Sequence, residues 1–197
     1  EERPVPPSDV PGEQAAPTQP FPTKPPAFDR QGFSENDLIA FTPELRAQAL
    51  EAVKVFRMSS SLYTPPSLAE APDGTRGTLH LPSATGGANW EAASFDPETG
   101  ILYVGSFTRL TVMALSHEPD FSDIRYVTGG GAPLPLVQGL PLVRPPWGRI
   151  VAIDMNEGEH LWTIPNGPTP QRIAENPALA GLDIPPTGRM TRPIVLV

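Results

Sequence analysis

The sequence predicts an all-β chain built from short antiparallel strands, and three observations carry that prediction. Proline supplies 28 of the 197 residues and glycine 17, while only 18% are charged; so many chain-breaking residues favour turns and irregular segments over long helices. From Gly77 onward, short runs rich in β-branched and aromatic residues alternate with a period of two. Two connections also share one design, Asp96-Pro97-Glu98-Thr99-Gly100 and Asp154-Met155-Asn156-Glu157-Gly158. In each, the Asp side chain can bond the backbone that follows it and the closing Gly can take a positive φ, so both predict tight hairpins.

Composition also excludes several classes. Hydrophobic residues reach 39%, and runs such as Ile101-Leu102-Tyr103-Val104 and Ile150-Val151-Ala152-Ile153 need a core, so the chain is not simply disordered. A net charge of -8 and a pI near 4.8 argue against nucleic acid as a partner, because that affinity rests on Lys and Arg neutralising phosphates. Cysteine is absent, which removes disulfides, thiolate metal sites and a Cys nucleophile. No window approaches 18 apolar residues and the opening Glu1-Glu2-Arg3-Pro4 is unlike a signal peptide, so no membrane span is expected here, and either the chain is cytosolic or its targeting segment lies outside this sequence.

Residues 1–33 read as a Pro-rich extended arm, its backbone set by prolines such as Pro6-Pro7 and Pro25-Pro26. Phe21, Phe28 and Phe33 suggest that it lies on a protein surface, since a solvated linker has little use for aromatic rings. Residues 34–57 carry helical signals. Ser34 with Asp37 approximates a capping box, and Thr42-Pro43-Glu44 offers a cap, a proline at the first helical position and an acid in the first turn. Leu45, Ala49, Ala52, Val53 and Phe56 then recur at helical spacing, with Lys54 and Arg57 suited to the negative end of the dipole. Strands are predicted over Thr78–Leu81, Asn89–Phe95, Ile101–Ser106, Leu110–Leu115, Arg149–Asp154 and His160–Ile164. Between Pro119 and Pro146 lies a long Gly- and Pro-rich connection, of a length that is usually functional or packed on another part of the protein.

Two motifs stand out. In AIDMNEGEHLW, the positions Ala152, Asp154, Gly158 and Trp162 describe a strand, a turn over Gly158 and a return through Trp162, whose ring can lie across the hairpin. In Gly86-Gly87-Ala88-Asn89-Trp90, paired glycines allow close backbone approach, Asn89 offers donor and acceptor together, and Trp90 a large flat face. From spacing alone, Trp90 reads as a buried strand residue and Asn89 as a turn residue.

With these motifs the chain resembles the pyrroloquinoline quinone (PQQ) dehydrogenases, in which Ala-x-Asp-x-x-x-Gly-x-x-x-Trp recurs from blade to blade of an eight-bladed propeller. The resemblance is nearest to the membrane-associated glucose dehydrogenase branch. It runs through EERPVPPSDVPGEQAAPTQPFPTKPPAF, ENDLIAFTPELRAQAL, GTLHLPSATGGANWEAASFDPETGILYVGS and GRIVAIDMNEGEHLWTIPNG, and ends in NPALAGLDIPPTGR. It implies a fragment of the propeller: about one four-stranded blade within 77–167, holding a long loop at 107–147, plus an edge strand at Thr78–Leu81, with 168–197 leading toward the next blade. The blade's strands would run Asn89–Phe95, Ile101–Ser106, Arg149–Asp154 and His160–Ile164 from inside to outside. It further implies Asn89 and Trp90 as PQQ contacts, calcium alongside PQQ in the complete protein, a sugar or alcohol substrate, and a periplasmic location. In the family small residues commonly follow that tryptophan; here Glu91 does.

The family's catalytic aspartate, calcium ligands and cofactor-binding Arg and Lys match nothing in this sequence, so they are expected in other blades. His80, His117 and His160 lack metal-ligand spacing, and Gly129 to Gly131 lacks the Lys and the strand-to-helix context of a phosphate loop. One blade alone would expose two apolar faces, so further blades or self-association are expected as partners. The leading expectation is a dehydrogenase fragment inactive by itself. The alternative is a non-catalytic propeller piece that acts as a structural or protein-interaction module.

Overall fold

The computed structural model describes residues 1–59, 61–89, 93–191 and 193–197. In chain order its strands are β1 (Glu2–Pro4), β2 (Thr18–Pro20), β3 (Arg57–Met58), β4 (Ser67–Leu68), β5 (Thr78–His80), β6 (Ala93–Asp96) and β7 (Ile101–Phe107). They continue as β8 (Thr111–Ser116), β9 (Val127–Thr128), β10 (Leu136–Val137), β11 (Leu140–Pro141), β12 (Gly148–Asp154) and β13 (Glu159–Pro165). Two helices, α1 (Pro43–Ala52) and the short α2 (Gln171–Ala174), complete the set together with single 3-10 turns.

A four-stranded antiparallel sheet of order β13-β12-β7-β6 forms the blade. Both of its hairpins close as their Asp and Gly residues require. Asp96 Oδ1 accepts the Glu98 N–H at 2.9 Å and Asp154 Oδ1 the Asn156 N–H at 2.8 Å, while Gly100 and Gly158 sit at φ 74° and 67°. The two turns also dock on each other: the Met155 N–H donates to the Gly100 carbonyl at 2.9 Å, and Asn156 Nδ2 to the Thr99 carbonyl at 3.3 Å.

Strand alternation gives the blade two faces. On one, Leu102 faces Ile153 and Val104 faces Val151, and these pack with Phe28 and Ala88. On the other, Tyr103, Ala152 and Trp162 stand in one row across three strands, with the Tyr103 and Trp162 ring centroids 5.9 Å apart. Ala152 is fully buried between them, and only a small side chain lets rings two strands apart meet. The C-terminal segment crosses this face at Gly105, where a Cβ would fall 2.3 Å from Pro193.

A second sheet has the order β3-β5-β8-β4, with β9 against β8. Thr78–His80 lies here, with partners on both sides. The stretch 107–147, expected as a long insertion holding a strand at Leu110–Leu115, contributes that strand as β8 and, beyond it, the short β9 to β11. The main core joins this sheet to α1 through Leu45, Ala49, Phe56, Leu79, Leu81 and Trp147. The Thr42 hydroxyl accepts the Leu45 N–H at 3.2 Å, so α1 starts where its cap predicts. Its end departs from expectation: the helix stops at Ala52, and Arg57 lies on β3, where its guanidinium pairs with Asp9 of the arm at 2.8 Å and Asp73 at 2.9 Å. Arg57 therefore ties the arm down and plays no part at a helix terminus. The arm itself is not loose: β1 pairs with β2, Arg3 lies over the Phe21 ring, and Phe33 is buried.

Candidate functional site

The expected cofactor contact lies on the connection between β5 and β6. After Leu81 the chain turns: the Gly86 N–H donates to the Ser83 carbonyl at 2.8 Å, and the Ser83 and Thr85 hydroxyl oxygens are 3.0 Å apart. The Gly87 carbonyl accepts the Phe107 N–H at 2.8 Å, which fastens the turn to the end of β7. Asn89 follows as an exposed residue. Trp90, and the Glu91 that departs from the family pattern, lie outside the described residues.

Beneath Gly87 sits a buried polar cluster. Asp29 Oδ1 accepts three donors: its neighbour's Arg30 N–H at 2.7 Å, Thr108 Oγ1 at 2.8 Å and Arg149 Nη1 at 2.8 Å. Arg149 Nη2 donates in addition to Thr108 Oγ1 and, at 2.8 Å, to the Pro146 carbonyl. Asp29 Oδ2, Arg149 Nε and Arg30 Nη1 are buried without a hydrogen-bond partner among the described residues. A Cβ at Gly87 would fall 2.3 Å from Asp29 Oδ2, so the absence of a side chain there is what lets the turn lie on the carboxylate. Arg30 donates to the Arg144 carbonyl at 2.7 Å, and its pKa is pushed down to about 10, first by burial and then by the nearby charges of Arg149 and Arg144.

Beside the turn opens a cavity of about 330 Å³ lined by Thr85, Phe107, Arg109 and Met190. Arg109 is exposed and makes no ion pair among the described residues. A guanidinium and a hydroxyl on one cavity wall suit a ligand that carries carboxylates. The three histidines stand apart. His80 is half-buried on β5, with its pKa lowered by burial, while His117 and His160 meet the carbonyls of Arg125 and Pro26. Among the described residues, no group of three or more His, Cys, Asp or Glu could hold a metal ion.

The sequence pattern of the PQQ glucose/ethanol/alcohol dehydrogenase β-propeller domain matches residues 1–195. The chain belongs to this family. Among its relatives are the glycerol dehydrogenase large subunit of Gluconobacter oxydans (strain 621H), 32% identical over 197 residues, and the quinate/shikimate dehydrogenase (quinone) of Acinetobacter baylyi, 28% identical over 188. The probable quinate dehydrogenase (quinone) of Xanthomonas campestris pv. juglandis is also 28% identical. The first two alignments cover 85% and 84% of this chain but only 25% and 22% of those proteins, so the chain spans about a quarter of the length of these relatives. As part of a PQQ dehydrogenase propeller, a predominantly β chain whose sheets do not close on themselves is what a section of the ring presents. No helix among the described residues is long and apolar enough to cross a membrane.

Asp29, Thr108 and Arg149, which meet beneath Gly87, were not singled out in the sequence. One signal was available: Arg149 heads the apolar run Ile150–Ile153 of its strand, and a charge at a buried strand position calls for a carboxylate partner.

Proposed function

We propose that this chain is one section of a PQQ-dependent dehydrogenase that oxidises a sugar or polyol and passes the electrons to quinone. The observation that carries the reading is the Gly86–Asn89 segment, fastened through the Gly87 carbonyl to the end of β7, with Asn89 exposed and the nearby Thr85 lining a cavity together with Arg109. These residues fit the cofactor on chemical grounds, because a side-chain amide, a hydroxyl and a guanidinium with no ion pair among the described residues complement a flat polyanion. Asn89 would hydrogen-bond the cofactor's edge and Trp90 would stack on its face. PQQ, once bound, supplies the hydride acceptor. The residues of this chain bind and orient it; the proton-accepting aspartate and the calcium ligands belong, in this reading, to other blades.

The rest of the reading follows from the family. The arm at 1–33 and the helical insertion at 34–57 flank a blade at 77–167 with its loop at 107–147, and 168–197 leads to the next blade. Other blades, or a second copy of the chain, would cover Trp162 and Ile164, which are 42% and 48% exposed. Trp162 would then dock on the neighbouring blade. The protein would work in the periplasm, associated with the membrane through a segment outside this sequence. The names of the relatives, glycerol and quinate/shikimate dehydrogenases, favour a substrate with several hydroxyls over a simple alcohol.

Titration of the whole protein with PQQ and Ca²⁺, followed by tryptophan fluorescence, tests this. A saturable change is expected that Trp90→Ala abolishes and that Asn89→Ala shifts to about tenfold higher PQQ concentration. A Trp90→Ala variant with the unaltered signal would sink the assignment.

A further inference from the structure

We infer that Asp29 is a positioning residue: it holds the segment that follows the Ser83–Gly86 turn at Gly87 and through it sets where the Asn89 carboxamide stands. The inference rests on the reading of Asn89 as a PQQ contact and adds the Pro-rich arm to the binding machinery.

The Asp29 carboxylate is used unevenly. Oδ1 takes all three hydrogen bonds, whereas Oδ2 takes none among the described residues and lies where a Gly87 side chain would be. A buried carboxylate and guanidinium are poor devices for stability alone, since the desolvation of both ions offsets much of their attraction. Phe28, next to Asp29, already anchors this part of the arm by apolar packing on the cluster of Val104, Val151 and Ile153. What the ion pair adds is one fixed geometry. Arg149 stands on β12 and Thr108 directly follows β7, so Oδ1 is bonded from two strands of one sheet. With Oδ1 fixed, Oδ2 is a rigid floor for Gly87, and the Phe107 N–H holds the Gly87 carbonyl. Asn89 follows two residues later. Any shift of Asp29 must therefore move the segment that presents the amide.

The contact itself can be tested by a double-mutant cycle on the whole protein. Gly87→Ala places a methyl group onto Oδ2 and is expected to weaken PQQ binding about tenfold or more. In an Asp29→Ala background, where the obstructing oxygen is gone, the same substitution should change PQQ affinity by less than about threefold. Asp29→Asn keeps the shape while removing the charge, and covers the case in which Asp29→Ala does not fold. It should weaken PQQ binding, and in PQQ-free protein it should speed hydrogen exchange at the Phe107 amide, with the blade amides of β7 and β12 unchanged. Equal losses from Gly87→Ala in both backgrounds, or Asp29→Asn with wild-type PQQ affinity and wild-type Phe107 exchange, would overturn the inference. If wild-type protein binds no PQQ, the functional reading fails and the cofactor role of Asp29 goes with it. The Phe107 exchange then still decides whether Asp29 holds the segment.

Discussion

The two faces of the blade are made by the same strands, yet they end in opposite conditions. The face of Leu102, Val104, Val151 and Ile153 is closed by the arm and completed by the Asp29–Arg149 pair. The face of Tyr103, Ala152 and Trp162 meets the C-terminal segment at Ser94, Gly105 and Gly148, and leaves Trp162 and Ile164 exposed. Alternation alone makes two faces of a sheet; what covers each one is decided by segments far away in sequence. The covered face is held by buried charges as well as by apolar contact, whereas the open face offers an aromatic row ready to pack against another surface.

The largest effect should come from breaking the closed face. Arg149→Met strands a buried Asp29 carboxylate and is expected to cost about 3–5 kcal/mol, read by urea unfolding of the whole protein. Next is Ala152→Leu, which pushes a branched side chain between Tyr103 and Trp162 at a cost of about 1–3 kcal/mol. It should also shift the Trp162 emission. Trp162→Ala should cost only about 1 kcal/mol within the blade, the scale of one aromatic pair; a markedly greater loss in the whole protein would identify the open face as a blade-to-blade contact.

A smaller, pH-dependent effect probes the arm's other tie. The Asp73 carboxyl is held down to about 2 by bonds from the Thr75 hydroxyl and backbone and from Arg57. Its folded pKa lies below its unfolded value, so its contribution is present above about pH 4 and is lost as pH falls toward 2. Asp73→Asn should flatten that part of an acid unfolding curve. The smallest effect is expected for Phe121→Ser. Phe121 is 84% exposed on the excursion between β8 and β9, and its loss should stay within about 0.5 kcal/mol by thermal melting.

How much could be read in advance follows from how local each signal is. The blade hairpins are written in residues a few positions apart, Asp96 with Gly100 and Asp154 with Gly158, and three of their strands lie where alternation places them; the first, expected from Asn89, is found at Ala93–Asp96, with Asn89 outside it and residues 90–92 outside the described residues. The start of α1 was legible for the same reason, Thr42 capping a turn that Pro43 begins. The second sheet was not: β3 and β4 are two-residue strands that pair in parallel with β5 and β8, and nothing in so short a stretch names its partner. The helix end was misplaced because Arg57 fits a C-terminus as well as it fits ion pairs elsewhere. Trp147 gave no periodic signal, yet it is buried, with Nε1 donating to the Val143 carbonyl at 2.7 Å. At the candidate site, Asn89 could be picked out from its glycines. Asp29 could not be joined to Arg149 across 120 positions of chain.

Hairpin tips are ordinarily where a protein tolerates inserted sequence. In this blade the tips are engaged: the Met155 amide and the Asn156 side chain bind the backbone of the neighbouring turn. An affinity tag or fluorophore spliced at Pro97 or Glu157 would pry the two hairpins apart. The excursion around Phe121 is the better place to attach a label without disturbing the sheet.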